Sequence, residues 1–163
     1  MKLAKAWGMA ASLVLAGVAT AASADPAKEL DVYKGGLGKF SCVAKETGSG
    51  KTFKTGVEKT VLDGYTYMER YTEVKSSDHP SPWNAVFLMS YDPDSKKWVR
   101  NGVDNSGERN AASSSGWQGD TWTWENDGVN IVIDRKGSAF DYAVDVKKPD
   151  GVKRVVEASC KKI

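Results

Sequence analysis

The chain has 163 residues, of which 40% are hydrophobic and 27% charged, with a formal net charge of +2, one histidine and two cysteines. That length suits one domain around one core, and the near-even charge balance excludes the concentrated basic face that nucleic acid or an anionic membrane surface requires. A lone histidine, with no cluster of thiols or carboxylates at ligand spacing, excludes a recognisable metal centre or a nucleophile with its base.

Residues 1–24 carry the three parts of a secretory signal: Lys2 and Lys5, an apolar run from Met9 to Thr20, and Ala22-Ser23-Ala24 ahead of Asp25. The run is shorter than the ~20 apolar residues a membrane helix needs, and no later stretch approaches that length, so no membrane insertion is expected. No cysteine follows the run, which points to a free periplasmic or secreted protein without a lipid anchor. Cleavage leaves residues 25–163 as a single domain. The signal holds two lysines and no acid, so the remainder is electrically balanced. Cys42 and Cys160 lie near the two ends of that domain, and in an oxidising compartment an even pair is expected to form a disulfide, with two free thiols as the alternative.

From Asp25 to Tyr33 the sequence predicts a short helix, with Asp25 as N-cap, Pro26 at the first position and Leu30 and Tyr33 on one face. Such a helix is suited to covering an open end of a sheet or barrel. Lys39 to Glu46 then alternates Phe40, Cys42 and Ala44 with polar partners. The segment Thr47-Gly48-Ser49-Gly50-Lys51-Thr52 resembles the tail of a phosphate-binding loop, but Lys45 stands where its first glycine belongs, and a hairpin turn is the better reading. A strand over Phe53 to Leu62 is followed by Asp63-Gly64, a type I′ turn signal. Tyr65 to Val74 then places Tyr65, Tyr67, Glu69 and Tyr71 on one face and Met68, Arg70 and Thr72 on the other. Lys75 to Pro82 is a polar loop in which His79 reads as a solvated histidine, since only Asp78 stands beside it as a possible co-ligand.

The stretch from Trp83 to Glu125 divides into four extended runs at Asp92-Pro93-Asp94-Ser95, Asn105-Ser106-Gly107 and Gly119-Asp120, with Arg109 to Trp117 read as one strand. Val129 to Arg135 follows, then a Lys136-Gly137 turn and the alternating Phe140, Tyr142, Val144 and Val146. Pro149-Asp150-Gly151 turns the chain into a last run, Val152 to Lys161, with Val156, Ala158 and Cys160 on one face. The predicted fold is all-β: about ten strands with short connections and no helical crossover, closed into an antiparallel up-and-down barrel because closure removes exposed edges. First and last strands would then pair, and a Cys42–Cys160 bridge would fasten them.

Aromatic residues are concentrated in the central strands. They serve either as ordinary barrel core or as the lining of a lumen wider than its side chains fill. On the second reading the candidate ligand-binding residues are Arg70, Trp83, Tyr91, Trp98, Arg100, Trp122 and Trp124, around a small apolar or aromatic molecule. The strand acids Glu69, Asp104 and Glu125 suit exposed strand faces better than catalysis, so no enzymatic activity and no cofactor are expected. The rival reading is a filled barrel working through its surface, as a structural, interaction or stress-related envelope protein. Lumen volume separates the two, since small-molecule sites begin at roughly 300 Å³. Oligomeric state has no signal in the sequence.

Tyr91-Asp92-Pro93, Trp98-Val99, Asp104-Asn105-Ser106-Gly107 and Gly116-Trp117-Gln118-Gly119-Asp120 form a pattern that resembles a bacterial family of small lipocalin-like domains of unknown function, over roughly Val57 to Thr123. The resemblance implies a barrel like nitrobindin or the fatty-acid-binding proteins. Haem-binding members of that wider group use a C-terminal histidine, and this chain has none after His79, so haem is not implied. The Gly-x-Trp signature of true lipocalins is replaced by Gly38-Lys39-Phe40.

Overall fold

Alternation with a period of two shapes the strands of the computed structural model, which describes residues 36–62 and 66–163. The expected signal segment, the helix over 25–33 and the Asp63-Gly64 turn lie outside the described residues. In β1 (Gly38–Glu46) Phe40, Cys42 and Ala44 turn inward while Lys39, Ser41, Val43 and Lys45 face out. A hairpin at residues 47–50, with Gly50 at φ 74°, leads into β2 (Thr52–Val61), so the glycines of that segment serve a turn.

β3 (Thr66–Glu73), β4 (Asn84–Asp92), β5 (Lys97–Asp104) and β6 (Arg109–Ser114) continue the meander. After β7 (Trp117–Gln118) come β8 (Thr121–Glu125), β9 (Val129–Lys136), β10 (Ala139–Lys148) and β11 (Gly151–Lys162). Successive strands pair antiparallel from β1 to β6 and from β7 to β11, β1 pairs with β11, and β6 meets β8 at Ser113 opposite Glu125. Among the described residues ten strands therefore form a closed ring, with β7 attached as a two-residue hairpin on β8.

The run from Arg109 to Trp117 is broken, contrary to the single strand its sequence suggests. Gly116 takes φ 81° and donates its N–H to Ser114 Oγ at 3.1 Å, and this turn swings Trp117 out of the ring and against Trp122. The join at β1 and β11 is, by contrast, a full ladder from Phe40 opposite Lys162 to Glu46 opposite Val156. Within it Cys42 faces Cys160 and the two are disulfide-bonded, with Cα atoms 4.0 Å apart. That is below the 4.4 to 6.8 Å usual for a disulfide and nearest to the roughly 4.5 Å of the narrow pairs in an antiparallel ladder.

Two apolar clusters fill the ring unequally. One surrounds the disulfide with Phe40, Phe53, Val57, Phe140 and Ala158. The other closes one end with Tyr67, Met89, Trp98, Trp122 and Trp124, where Trp122 stands 5.4 Å from the rings of Trp98, Trp117 and Trp124 in tilted or edge-on geometry. Ten strands enclose a wide interior, and indoles packed at one end plug it there while leaving the other end hollow.

Candidate functional site

A cavity of about 390 Å³ occupies the end of the barrel opposite the tryptophan plug. Its walls are apolar for the most part, built from inward residues of neighbouring strands such as Val57, Phe87, Ile131, Val144 and Val156. Two polar layers interrupt them. The deeper one follows from period-two placement of Lys59 on β2, Glu69 on β3 and Arg100 on β5, three charged residues at inward positions.

Lys59 Nζ lies 3.2 Å from Glu69 Oε2, and Arg100 Nη2 donates to Glu69 Oε1 at 3.0 Å. All three side chains are buried. The Arg100 guanidinium lies 3.5 Å from the centre of the Phe87 ring, and Lys59 Nζ is 5.2 Å from that of Phe140. Gly102 makes the Phe87 position possible: a β-carbon there would overlap the Phe87 ring and the Val86 carbonyl, so only glycine lets β5 pass that close. Burial alone would raise the Glu69 pKa, but the Lys59 and Arg100 charges outweigh it and hold the carboxyl below its ordinary value, hence ionised.

The upper layer is a hydrogen-bonded chain running to the mouth. The Tyr71 and Tyr142 hydroxyls are 2.9 Å apart, and Tyr71 also donates to Glu73 Oε1 at 3.3 Å. Glu73 Oε2 accepts from the Trp83 backbone N–H at 2.6 Å and lies 2.7 Å from His79 Nε2. Burial, with Glu73 as a neighbouring negative charge, pushes the Tyr71 hydroxyl well above the ordinary tyrosine value, and burial also raises Tyr142. His79 stacks on Phe53 at 4.5 Å with rings 12° apart, so it is a packed residue of the mouth, not the solvated loop histidine its neighbours suggest.

Trp83 is held on both sides, its indole N–H donating to Asp104 Oδ2 at 2.9 Å while its backbone N–H reaches Glu73. Hydroxyl and indole hydrogen bonds from Ser106 and Trp83 lower the Asp104 pKa, with the Ser106 and Glu108 backbone N–H groups adding to them. Asp104 is thus a loop-organising carboxylate. Of the three strand acids, Glu69 faces the lumen interior, Asp104 organises the rim and Glu125 is exposed.

Among the seven residues put forward from sequence, Arg100 and Trp83 line this cavity. Trp98, Trp122 and Trp124 are packed into the plug, where the last two border a second void of about 40 Å³. Tyr91 packs edge-on against Trp98 at 5.8 Å at the same closed end, and Arg70 is exposed on the outer face, the position its alternation with Glu69 and Tyr71 requires. Sequence reasoning missed Lys59, Glu73, Tyr71 and Tyr142 as lining residues. The signal was available in their spacing: Lys59 is two residues from Val57, and Glu73 continues the Tyr67, Glu69, Tyr71 face.

No family model matches the chain, and no curated protein matches its sequence. Its fold is similar to that of a redesigned β-barrel, at 9% identity and a TM-score of 0.45, covering 81% of this chain and 95% of that one. A fluorescence-activating β-barrel designed de novo is similar at 14% identity and the same TM-score of 0.45, covering 82% and 98%.

Proposed function

We propose that this chain is an exported, soluble β-barrel that holds a small apolar or aromatic molecule in its lumen. The observation that carries the reading is the cavity of about 390 Å³, apolar in its walls and polar at two defined levels. Small-molecule sites begin at roughly 300 Å³ and use this combination of greasy wall and few orienting groups. The rival reading needs a filled barrel, and the hollow end weighs against it. Charged outward positions such as Lys39, Lys45, Lys54 and Glu58 support a water-facing exterior, since a lipid-facing band excludes them. The Cys42–Cys160 disulfide supports an oxidising compartment, periplasmic or extracellular. A lipocalin-like family membership belongs to the same proposal and draws support from the closed up-and-down ring.

Native mass spectrometry of the protein isolated from its own envelope, with fluorescence titration against fatty acids, quinones and aromatic acids, tests the reading. A bound mass that disappears on denaturation is expected, together with a spectral shift reporting on Trp83, which lines the cavity. A Val144→Trp variant that fills the lumen should unfold at the wild-type denaturant midpoint and lose the response. A bare mass and no response to any member of the panel would overturn the proposal.

A further inference from the structure

The two polar layers of the lumen differ in what they leave for a ligand. In the deeper layer the charges meet one another: Glu69 takes Lys59 at 3.2 Å and Arg100 at 3.0 Å, and the two cations also lie against the Phe140 and Phe87 rings. In the upper layer Glu73 is engaged on both oxygens, Oε2 by the Trp83 backbone N–H and His79, Oε1 by the Tyr71 hydroxyl. Trp83 spends its indole N–H as well, on Asp104. A charged ligand would leave water for a site whose ions already have counter-ions, and burying a charge without a partner is costly.

What the upper layer keeps is a phenolic oxygen. A carboxylate only accepts, so Tyr71 donates to Glu73; its single O–H is then spent, and at 2.9 Å it accepts from Tyr142. The protons therefore point one way, from Tyr142 through Tyr71 to Glu73. At the far end stands the Tyr142 oxygen, an acceptor with two lone pairs and no proton left to give. The Thr55 hydroxyl beside it takes one of them. Tyr142 borders the cavity, so the other is open to whatever occupies it. Burial keeps both tyrosines in the neutral form that this order requires.

Rings wall the same end of the cavity. Trp83 stands 5.3 Å from Tyr71 at 52° and 6.2 Å from Phe87 at 46°, inclined faces that receive a further ring edge-on or offset.

We propose that the lumen takes an uncharged phenol, its ring against Trp83 and Tyr71 and its hydroxyl donating to the Tyr142 oxygen. The inference rests on the lumen-binding reading and narrows it to one class of ligand. A phenol extends the chain of hydroxyls by one member, and linked hydrogen bonds polarise one another. An aromatic ether of the same shape gains the walls but leaves the Tyr142 lone pair dry, a cost the hydroxyl avoids. A carboxylate or an ammonium finds no unspent counter-charge.

The test compares para-propylphenol, its methyl ether, para-propylbenzoate and para-propylbenzylamine on the full chain by calorimetry at neutral pH. The phenol should bind about tenfold more tightly than the ether, the ratio that one buried hydrogen bond supports, and both charged analogues more weakly than the ether. Tyr142→Phe should lower phenol affinity to within about threefold of the ether's and leave the ether's own affinity within about threefold of wild type. A second readout needs no variant to fold: para-nitrophenol, which is partly ionised near neutral pH, should lose its yellow phenolate absorbance on binding wild-type protein. An unchanged or stronger phenolate band would overturn the proposal. If the ether, the benzoate or the amine binds as tightly as the phenol, the phenol class is overturned while the lumen reading stands. If none of the four binds but a fatty acid or quinone does, the phenol class again falls alone; if nothing binds, both fall together.

Discussion

Replacing Glu69 by leucine isolates the charge arrangement at the centre of the barrel. The substitution keeps the approximate volume and removes the carboxylate that lies 3.2 Å from Lys59 and 3.0 Å from Arg100, all three side chains being less than a tenth exposed. Two like charges then remain inside the barrel with their shared partner gone. Breaking a buried pair in this way costs about 3–5 kcal/mol. For a domain of this size each kcal/mol is worth roughly 3–4 °C, so the melting temperature should fall by about 9–20 °C. Urea unfolding at pH 7 should give a lower midpoint with an unchanged m-value. The triple variant Lys59→Met, Glu69→Leu, Arg100→Met removes all three charges together and should return stability to within about 1 kcal/mol of wild type or above it, as apolar replacement of buried ion clusters does. A Glu69→Leu protein within about 1 kcal/mol of wild type would refute the reasoning. So would a triple variant as damaged as the single one, because the loss would then be packing and not charge.

The same carboxylate sets a pH dependence with a definite sign. Burial would raise the Glu69 pKa, and the two cations bring it below its usual value of 4.5. A depressed folded-state pKa gives stabilisation that is complete above the unfolded value and is lost as pH falls through the folded one. Wild-type stability should therefore decline in acid below about pH 4.5, with the difference between wild type and Glu69→Leu narrowing over that range.

Other perturbations address the seam, the wall and the mouth. Replacing Cys42 and Cys160 by alanine, which opens a bridge across 118 positions of sequence, should cost about 4–5 kcal/mol by the chain-entropy relation, read as a lower urea midpoint; an unchanged midpoint would show that the β1–β11 ladder holds without it. Gly102→Ala forces a methyl into the Phe87 ring and the Val86 carbonyl and should destabilise by about 1–3 kcal/mol, whereas the exposed glycine Gly48, with no neighbour near its missing β-carbon, should tolerate alanine within about 0.5 kcal/mol. Ultraviolet titration in alkali should find Tyr71 and Tyr142 un-ionised up to global unfolding. Because their folded values are raised, stability should fall as pH climbs above the ordinary tyrosine value, the unfolded chain ionising first. Ionisation of both at their usual value in the folded protein would contradict the buried pair.

Much of the ring was legible because period two is a geometric property of strands and survives in single residues. Phe40, Cys42 and Ala44 mark one face of β1, and Val156, Ala158 and Cys160 mark the facing side of β11, so the pairing of first and last strands followed from edge removal in a string of hairpins, with the two cysteines placed to fasten it. The break at Gly116 was less visible. Glycine in an extended run fits a bulge, a close approach or a turn, and here Gly116 takes a positive φ and Trp117 pairs with Trp122 in the short β7–β8 hairpin. The narrow join of β6 to β8 at Ser113 and Glu125 is a consequence of that same departure.

The candidate site was harder to locate for a related reason. Counting aromatics in the central strands points to Trp98, Trp122 and Trp124, yet side chains of that size fill space wherever three of them converge, and here they converge into the plug. A hollow forms where the inward residues are smaller or bear charge. Alternation had already placed Glu69 on the Tyr67–Tyr71 face, and the same rule carries Lys59 inward with Val57; the expectation that strand acids and lysines point to water pulled the other way. When periodicity puts a charged residue inside and composition argues it should be outside, the strand's pleat decides the direction, since turning one side chain outward would shift its whole strand by one register position and expose Tyr67 and Val57. The charge then has to be accommodated by partners on neighbouring strands, and a search for oppositely charged residues at the same level of the barrel would have joined Lys59, Glu69 and Arg100 before any coordinate was known.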